Sequence, residues 1–498
     1  MKESFKNKIP HDITWTLQQL QSAGYESYIV GGCVRDMMID RDPNDWDITT
    51  NAKPDEIISV FEKTDRRVVY ENNFGTVGII NKEREQDHPG YEIEITPYRT
   101  EGKYSDNRRP DKVSFSNSLS EDLMRRDFTI NAMAYDPIND VLVDEYNGKT
   151  DLRNSVIRTV GDANERFTED ALRIMRAVRF SAQLGFMCET KTIKAIEKHA
   201  DRLASISVER IRDEFIKIVD SEHAMEGIVL LHKLGLLKHI VPELEDGIEC
   251  EQGGIHDFDV WTHNLKSLEH GTNKDYPFYV KLSALFHDIG KPATRRKANG
   301  RGTKEWTFYG HEVVGAKMVR NIMKRLKFQK DITDKLYKLV RYHMFFSDPD
   351  AITLSAVRRM VKNVGTEMIW DLMDLRTCDR IGTGRPKEKP YRLRKYHAMI
   401  EEVLRDPISV GMLKLNGDIM IGEMGLRPGP KMGWVLHALL EEVLDDPTLN
   451  TREYLEQRAI EMYEMSDTDV KKLGDAGKDT RDEAEFRAVK KLHRKHKV

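Results

Sequence analysis

The sequence predicts an α+β protein with its sheet in residues 1–150 and helices beyond. Two observations carry that reading. Short β-patterned runs cluster early, at Tyr28–Val30, Asp45–Ile48, Arg67–Tyr70, Gly75–Ile80 and Tyr91–Tyr98, the last alternating as YEIEITPY. After them come longer segments with helical spacing, and a charged fraction of 33% with a mean hydropathy of −0.59 describes a soluble, helix-rich chain.

Composition narrows the possibilities. With 498 residues the chain can hold about three or four domains. No apolar run approaches the roughly 18 residues of a membrane helix, and MKESFKNKIP lacks a signal-peptide core, so no membrane partner is expected. Cys33, Cys188, Cys250 and Cys378 are scattered without a CxxC, which suggests neither a disulfide framework nor a zinc knuckle and fits a reducing cytoplasm. A net charge of −4 argues against indiscriminate nucleic-acid binding. Basic clumps at Arg385–Lys395 and Glu485–Lys497 read either as solvated faces or as footings for RNA phosphates.

Residues 10–24 form an amphipathic helix with Ile13, Leu17 and Leu20 inward. It feeds the stretch YIVGGCVRDMMIDRDPNDWDITT, Tyr28–Thr50, which reads as strand, glycine turn, helix, Pro43-Asn44 turn and strand. In an extended strand Asp45 and Asp47 point one way and Trp46 the other. Two carboxylates about 7 Å apart repel unless a cation joins them, and hard oxygen ligands suit Mg²⁺. Gly31 and Gly32 would let a triphosphate lie against backbone N–H groups at a helix start, with Arg35 as a further phosphate contact. Residues 54–64 form a second helix. In YEIEITPY, Glu92 and Glu94 share one face, and Glu94 is the candidate third catalytic carboxylate; an exposed edge-strand face is the other reading.

At Glu121–Asp136, EDLMRRDFTINAMAYD, a family pattern emerges. With GGCVRD, DWD, IEITPYR and YSDNRRPDKVSF, it closely resembles the class II tRNA nucleotidyltransferase and bacterial poly(A) polymerase family of the polymerase β superfamily. The resemblance implies a mixed, mainly antiparallel five-stranded head with helices on one side. It also implies that Asp45 and Asp47 hold two Mg²⁺ ions and that Arg126 and Asp127 lie near the ribose. An adjacent Arg and Asp can donate to and accept from a 2′-OH.

In FTEDALRIMRAVRFSAQLGF, Phe167–Phe186, Thr168 is the expected N-cap, Glu169 and Asp170 fill the first turn, and Gly185 ends the helix. Asp170 and Arg173 lie one turn apart, which on residues alone is a surface ion pair worth a few tenths of a kcal/mol. The segment also resembles the family's base-selecting EDxxR. A carboxylate accepts from the amino group of cytosine or adenine while a guanidinium donates to the adjacent ring nitrogen; uracil and guanine present the reverse pattern. Arg176 and Arg179, further along, are counted with them as nucleotide contacts. Ser207–Phe215 resembles the family's ERxxxE and is expected to support the base-reading helix.

A second centre begins near Gly254. His263, His287-Asp288, His311, His343 and Asp379 occur in the order H, HD, H, H, D among apolar helices, which do not bury such groups unless something neutralises them. The order, with HDIGKP, resembles the HD metal-dependent phosphohydrolase superfamily. His263, His287, Asp288 and Asp379 would form one site and His311 with His343 a second, for Mn²⁺, Fe²⁺, Co²⁺, Ni²⁺ or Zn²⁺. The resemblance implies 2′,3′-cyclic phosphodiesterase or phosphatase activity, against a retained structural metal.

Leu413–Asn450 resembles the RNA-binding body of CCA-adding enzymes. Residues 466–498, polar and charged, are expected to be disordered or a frayed helix. The resulting division is head 1–150, neck 151–250, HD domain 251–385, body 386–465 and tail 466–498. The expected activity is addition of CCA to tRNA from CTP and ATP, with the acceptor and T arms held by shape and phosphate contacts. A poly(A) polymerase, a CC-adding or A-adding enzyme, and a chain that is mainly an HD phosphohydrolase are the alternatives.

Overall fold

The computed structural model describes residues 8–43, 45–70, 75–80, 92–101, 113–253, 257–298, 306–345, 352–405 and 409–498. Asn44, Tyr91, residues 104–112 of YSDNRRPDKVSF, Gly254 and the side chain of Glu92 lie outside this description. The chain divides into two compact units. The first is Met1–His343 with Asp374–Arg385; the second is Met344–Met373 with Pro386–Val498.

The first unit opens with a sheet built from β1 (Ser27–Val30), β2 (Asp47–Thr50), β3 (Arg67–Tyr70), β4 (Val77–Ile80) and β5 (Glu92–Pro97). A separate pair, β6 (Arg99–Glu101) and β7 (Val113–Phe115), follows it. The main sheet is completed by β8 (Ala134–Asp136) and β9 (Val141–Val143), in the order β3-β4-β5-β2-β1-β8-β9. It therefore has seven strands among the described residues, where the family resemblance implied five. The two extra strands form a hairpin whose Pro137–Asp140 connection carries turn residues, with Asp136 accepting from the Ile138 and Asn139 N–H groups. Within this sheet, among the described residues, only β2 and β5 run parallel; the other pairings are antiparallel.

Side-chain alternation assigns the faces. Ile29 joins the main core with Ile13, Leu17, Leu20, Ile48, Phe61 and Ile95, covered by helices His11–Ser22 and Pro54–Phe61. Its neighbour Val30 joins Leu123 and Ala134 in a small cluster on the other face. The short helix Leu119–Met124 thus packs opposite the main core, so helices occupy both faces.

The neck departs from expectation at its start. A helix spans Ala163–Glu169, capped by Asp162, which accepts from the Asn164 and Glu165 N–H groups. Thr168 lies in its last turn and donates to the Asn164 carbonyl, so it is not an N-cap. Asp170, at φ −136° and ψ 105°, breaks the chain direction before helix Leu172–Leu184. Gly185, at φ 68°, ends that helix as expected. Helix Val208–Val219 carries the ERxxxE residues.

Beyond the neck, helices Val260–Asn273, Phe278–Phe286, His311–Arg325 and Lys330–Tyr342 surround the HD residues. His263 lies inside the first of these helices. His287 and His343 are C-cap residues and His311 begins its helix. Asp379 comes from helix Ile369–Gly382.

The second unit has its own core of Leu415, Val435, Leu439, Leu440, Leu455 and Val470. Its last element corrects the expected disorder: Asp467–Lys495 is one 29-residue helix, capped by Ser466. The reason is close packing, which composition hides. Gly474 and Gly477 lie so near the backbones of Trp434 and His437 that an added Cβ would stand 2.6 Å and 2.2 Å from them.

Candidate active site and metal centre

Register sets the head site. β2 and β5 pair in parallel with Asp47 opposite Glu94, placing both side chains on one face at the mouth of a cleft of about 300 Å³. Val30, Thr76, Thr96, Arg99, Arg125 and Arg126 complete its lining. Asp45 reaches the region from the turn, because β2 begins only at Asp47; the two aspartates are not on one strand as expected. Trp46 packs against the main core, as the alternation required. The cleft walls push the Asp47 carboxyl group above its ordinary range, with Arg126 opposing and Asp45 adding to the shift. Hard oxygen donors that repel one another fit Mg²⁺.

Gly31 is required where it stands. Its φ of 85° suits glycine, and a Cβ there would lie 3.0 Å from Arg126 Nη1 and 3.8 Å from Asp47 Oδ2. The backbone therefore forms a wall of the site. The Gly31 N–H itself donates to the Met133 carbonyl at 3.2 Å, so the expected phosphate cradle can begin only at Gly32. Arg35 lies over Gly32 and is engaged by Asp36 at 2.8 and 2.9 Å and by Asn131 at 2.8 Å.

The Arg126-Asp127 pair divides. Arg126 lines the cleft, whereas Asp127 is buried and accepts from Arg176 Nε at 2.6 Å and Asn131 at 3.3 Å. Burial alone would raise its pKa, but Arg176 prevails and holds it at about 2. A ribose contact is thus geometrically open to Arg126, while Asp127 ties the head to the neck.

The Arg173 N–H donates to the Asp170 carbonyl at 3.0 Å, while the two side chains bond other partners. Asp170 accepts from Arg210 at 2.7 and 3.3 Å and from the Leu172 N–H at 3.0 Å. Arg173 donates to Glu169 at 2.5 Å and to the carbonyls of Arg166 and Arg125 at 3.3 and 3.1 Å. Glu214 accepts from Arg179 at 3.0 Å in a buried pair, and burial pushes Arg179 down to about 10. The ERxxxE segment therefore braces helix Leu172–Leu184 through Glu214 and the residue just before that helix's start through Arg210. Arg35, Arg176 and Arg179 all lie against the Phe180 ring, at 5.2, 5.4 and 4.3 Å from its centroid.

The HD residues converge without exception. His263 Nε2 lies 2.9 Å from His287 Nε2, 3.2 Å from Asp288 and 3.4 Å from Asp379. His311 and His343 approach the other Asp288 oxygen at 3.2 and 3.6 Å. These form two buried triads, His263-His287-Asp288 and Asp288-His311-His343, sharing one carboxylate. Nδ1 of His287, His311 and His343 bonds the carbonyl of Ala284, Phe308 and Val340, three residues back, which turns each Nε2 inward. Nε2 of His311 and of His343 has no hydrogen-bond partner, and a buried imidazole nitrogen aimed at a carboxylate fits a transition-metal ligand.

Sequence reasoning missed Arg99 and Arg125 in the cleft and Lys291 beside Asp288 at 2.5 Å. The first Arg of MRRDF and the Lys of HDIGKP were the available signals.

Comparison with known proteins covers both centres. Residues 27–158 match the family model for the poly A polymerase head domain, 185–248 that for the probable RNA and SrmB-binding site of polymerase A, and 265–380 the HD domain. The CCA-adding enzyme of Lactobacillus helveticus is 49% identical over 211 residues; this match spans only 42% of the chain and 50% of that enzyme. That of Streptococcus thermophilus is 32% identical over 438 residues, 88% of this chain and 93% of the relative. The crystal structure of the Bacillus stearothermophilus CCA-adding enzyme in complex with CTP superposes with a TM-score of 0.59 at 26% identity, covering 93% of this chain and 98% of that one. By the near full-length match, this chain belongs to the family of CCA-adding enzymes.

Proposed function

We propose that this chain rebuilds the 3′-terminal CCA of tRNA from CTP and ATP, releasing pyrophosphate. The observation that carries the proposal is the parallel register setting Glu94 beside Asp47 at a cleft lined by Arg126, with the Gly31 backbone next to both Asp47 and Arg126. Asp45 and Asp47 would hold Mg²⁺, with Glu94 as the third carboxylate; the metal would supply activation of the RNA 3′-OH and charge neutralisation at the triphosphate. Arg126 would meet ribose or phosphate oxygens, and Arg35, Arg176 and Arg179 form a cationic cluster around Phe180. Asp170, while it keeps Arg210, accepts from the exocyclic amine of cytosine or adenine, and Arg173 donates to the ring nitrogen. Four unpaired cysteines support a reducing, cytoplasmic setting.

The test is nucleotide addition to tRNA lacking CCA, CA or A, with each nucleotide supplied separately. CMP enters the first two substrates and AMP the third; repeated AMP addition without CMP would instead identify a poly(A) polymerase, and a block after CC or before it would identify a CC-adding or A-adding enzyme.

A second activity is favoured by the inward-facing imidazoles. His263, His287, Asp288 and Asp379, with His311 and His343, would hold Mn²⁺, Fe²⁺, Co²⁺, Ni²⁺ or Zn²⁺, which supplies a polarised water for phosphoester hydrolysis. Opening of a 2′,3′-cyclic nucleotide to its nucleoside monophosphate, or release of phosphate from a monophosphate, by the metal-loaded protein tests it, and a metal-loaded protein without either hydrolysis would leave a structural site.

A further inference from the structure

Asn131 has no part in the proposed chemistry, yet it is buried between two helices that do. It ends the short turn Thr129–Asn131. Its Oδ1 accepts from Arg35 Nη1 at 2.8 Å, and its Nδ2 donates to Asp127 Oδ1 at 3.3 Å. The other Asp127 oxygen accepts from Arg176 Nε at 2.6 Å. A continuous polar chain therefore runs from Arg35 through Asn131 and Asp127 to Arg176. Arg35 belongs to helix Gly32–Met38, which follows the glycine turn; Arg176 belongs to helix Leu172–Leu184, which follows Asp170 and carries Arg173. Both guanidinium groups lie against the Phe180 ring.

An amide suits this place because the two neighbours make opposite demands. A guanidinium only donates and a carboxylate only accepts, so the group between them must accept on one side and donate on the other. Turning the amide over would set N–H against guanidinium and oxygen against carboxylate, so its partners fix its orientation. An aspartate would keep Arg35 and repel Asp127, and an aliphatic side chain would take a partner from both charged groups. The same two helices are also tied by Arg41, just beyond the first, which donates to the Gln183 carbonyl near the end of the second at 2.9 Å. That tie does not depend on Asn131. What Asn131 adds is the register between the cationic side chains themselves.

We propose that Asn131 is a positioning residue that couples the phosphate-holding side of the nucleotide site to its base-reading side. By fixing Arg35 relative to Arg176, it makes the grip on the triphosphate depend on the fit of the base. The inference rests on the nucleotidyl-transfer reading and deepens it.

The experiment compares wild type with Asn131→Leu, which keeps size and removes both hydrogen bonds, with Asn131→Asp, and with the exchange of Asp127→Asn and Asn131→Asp in one chain, which restores a donor opposite an acceptor in reversed order. CMP addition is measured against CTP concentration and in competition with UTP, with thermal melting to verify folding. Asn131→Leu and Asn131→Asp are each expected to raise KM for CTP about tenfold and to lower discrimination against UTP several-fold. The exchange should recover part of both; the Phe128 N–H, which donates to Asp127 Oδ1 at 2.8 Å, then loses its acceptor, so recovery is incomplete. A merely structural residue would lower the melting temperature and leave selectivity where it was. A folded Asn131→Leu with unchanged KM and selectivity overturns the proposal, as does an exchange no better than Asn131→Asp alone. If no Asn131 variant melts cooperatively, Arg35→Lys and Arg176→Lys in the presence of Asn131 must show a combined loss smaller than the product of the single losses; losses that simply multiply overturn the proposal. A wild type that adds no nucleotide would sink the nucleotidyl-transfer reading instead, which separates the two failures.

Discussion

The sheet cleft and the HD centre gather acidic side chains in opposite ways. In the cleft, two adjacent strands present Asp47 and Glu94 side by side on an open face, and β-register alone brings them together. In the HD centre, residues from His263 to Asp379 meet in a buried knot, each delivered by a helix or its end and three of them aimed by a carbonyl three residues back. The first arrangement leaves room for a large anionic substrate to complete a hard-oxygen shell; the second is rich in imidazoles, which suit a softer cation. On the proposed reading the two centres would hold different ions.

The strongest way to break that comparison is reciprocal substitution. Asp47→Ala should lower nucleotide addition by at least about a thousandfold while leaving the transition-metal content of the purified protein unchanged. His287→Ala should do the reverse, lowering metal content measured by elemental analysis while addition persists. Loss of both properties in either variant would mean that the centres are one functional unit.

A smaller effect concerns base choice. Asp170→Ala removes the carboxylate that accepts from the amino group of cytosine or adenine, and discrimination against UTP and GTP should fall by about ten- to a hundredfold along with the rate. Competition assays with paired nucleotides measure it, and unchanged selectivity would remove the hydrogen-bond account.

The smallest expected effect is on stability. Asp127 is held at about 2 by Arg176, below the unfolded value near 3.9, so its contribution is present above the unfolded pKa and is lost as pH falls through the folded one. The shift corresponds to about 2 kcal/mol, on the order of magnitude only. Urea unfolding of wild type and Asp127→Asn should differ by that order at pH 7 and converge toward pH 2.

The contrast also explains what the residues alone revealed. Glu94 was readable because strand alternation is a local rule, and the HD set because burial of so many imidazoles demands a common cause. Other features depend on tertiary partners. Asp127 accepts from Arg176, and the Asp170 side chain bonds Arg210 rather than the Arg173 side chain. Nothing near either aspartate in the sequence announces these pairings. The β8–β9 hairpin was missed because each strand is only three residues long, though its Pro137–Asp140 turn was visible. The final segment was left between disorder and a frayed helix because its anchors are two glycines, residues that ordinarily weaken a helix and here permit close approach.

The central claim is that strand register makes Glu94 a partner of Asp47 in nucleotide transfer. Single-turnover CMP addition by Glu94→Gln across a Mg²⁺ titration tests it most directly. The account predicts a rate at least about a hundredfold below wild type, with a higher Mg²⁺ requirement. A Glu94→Gln variant that transfers CMP at the wild-type rate and Mg²⁺ dependence would contradict it.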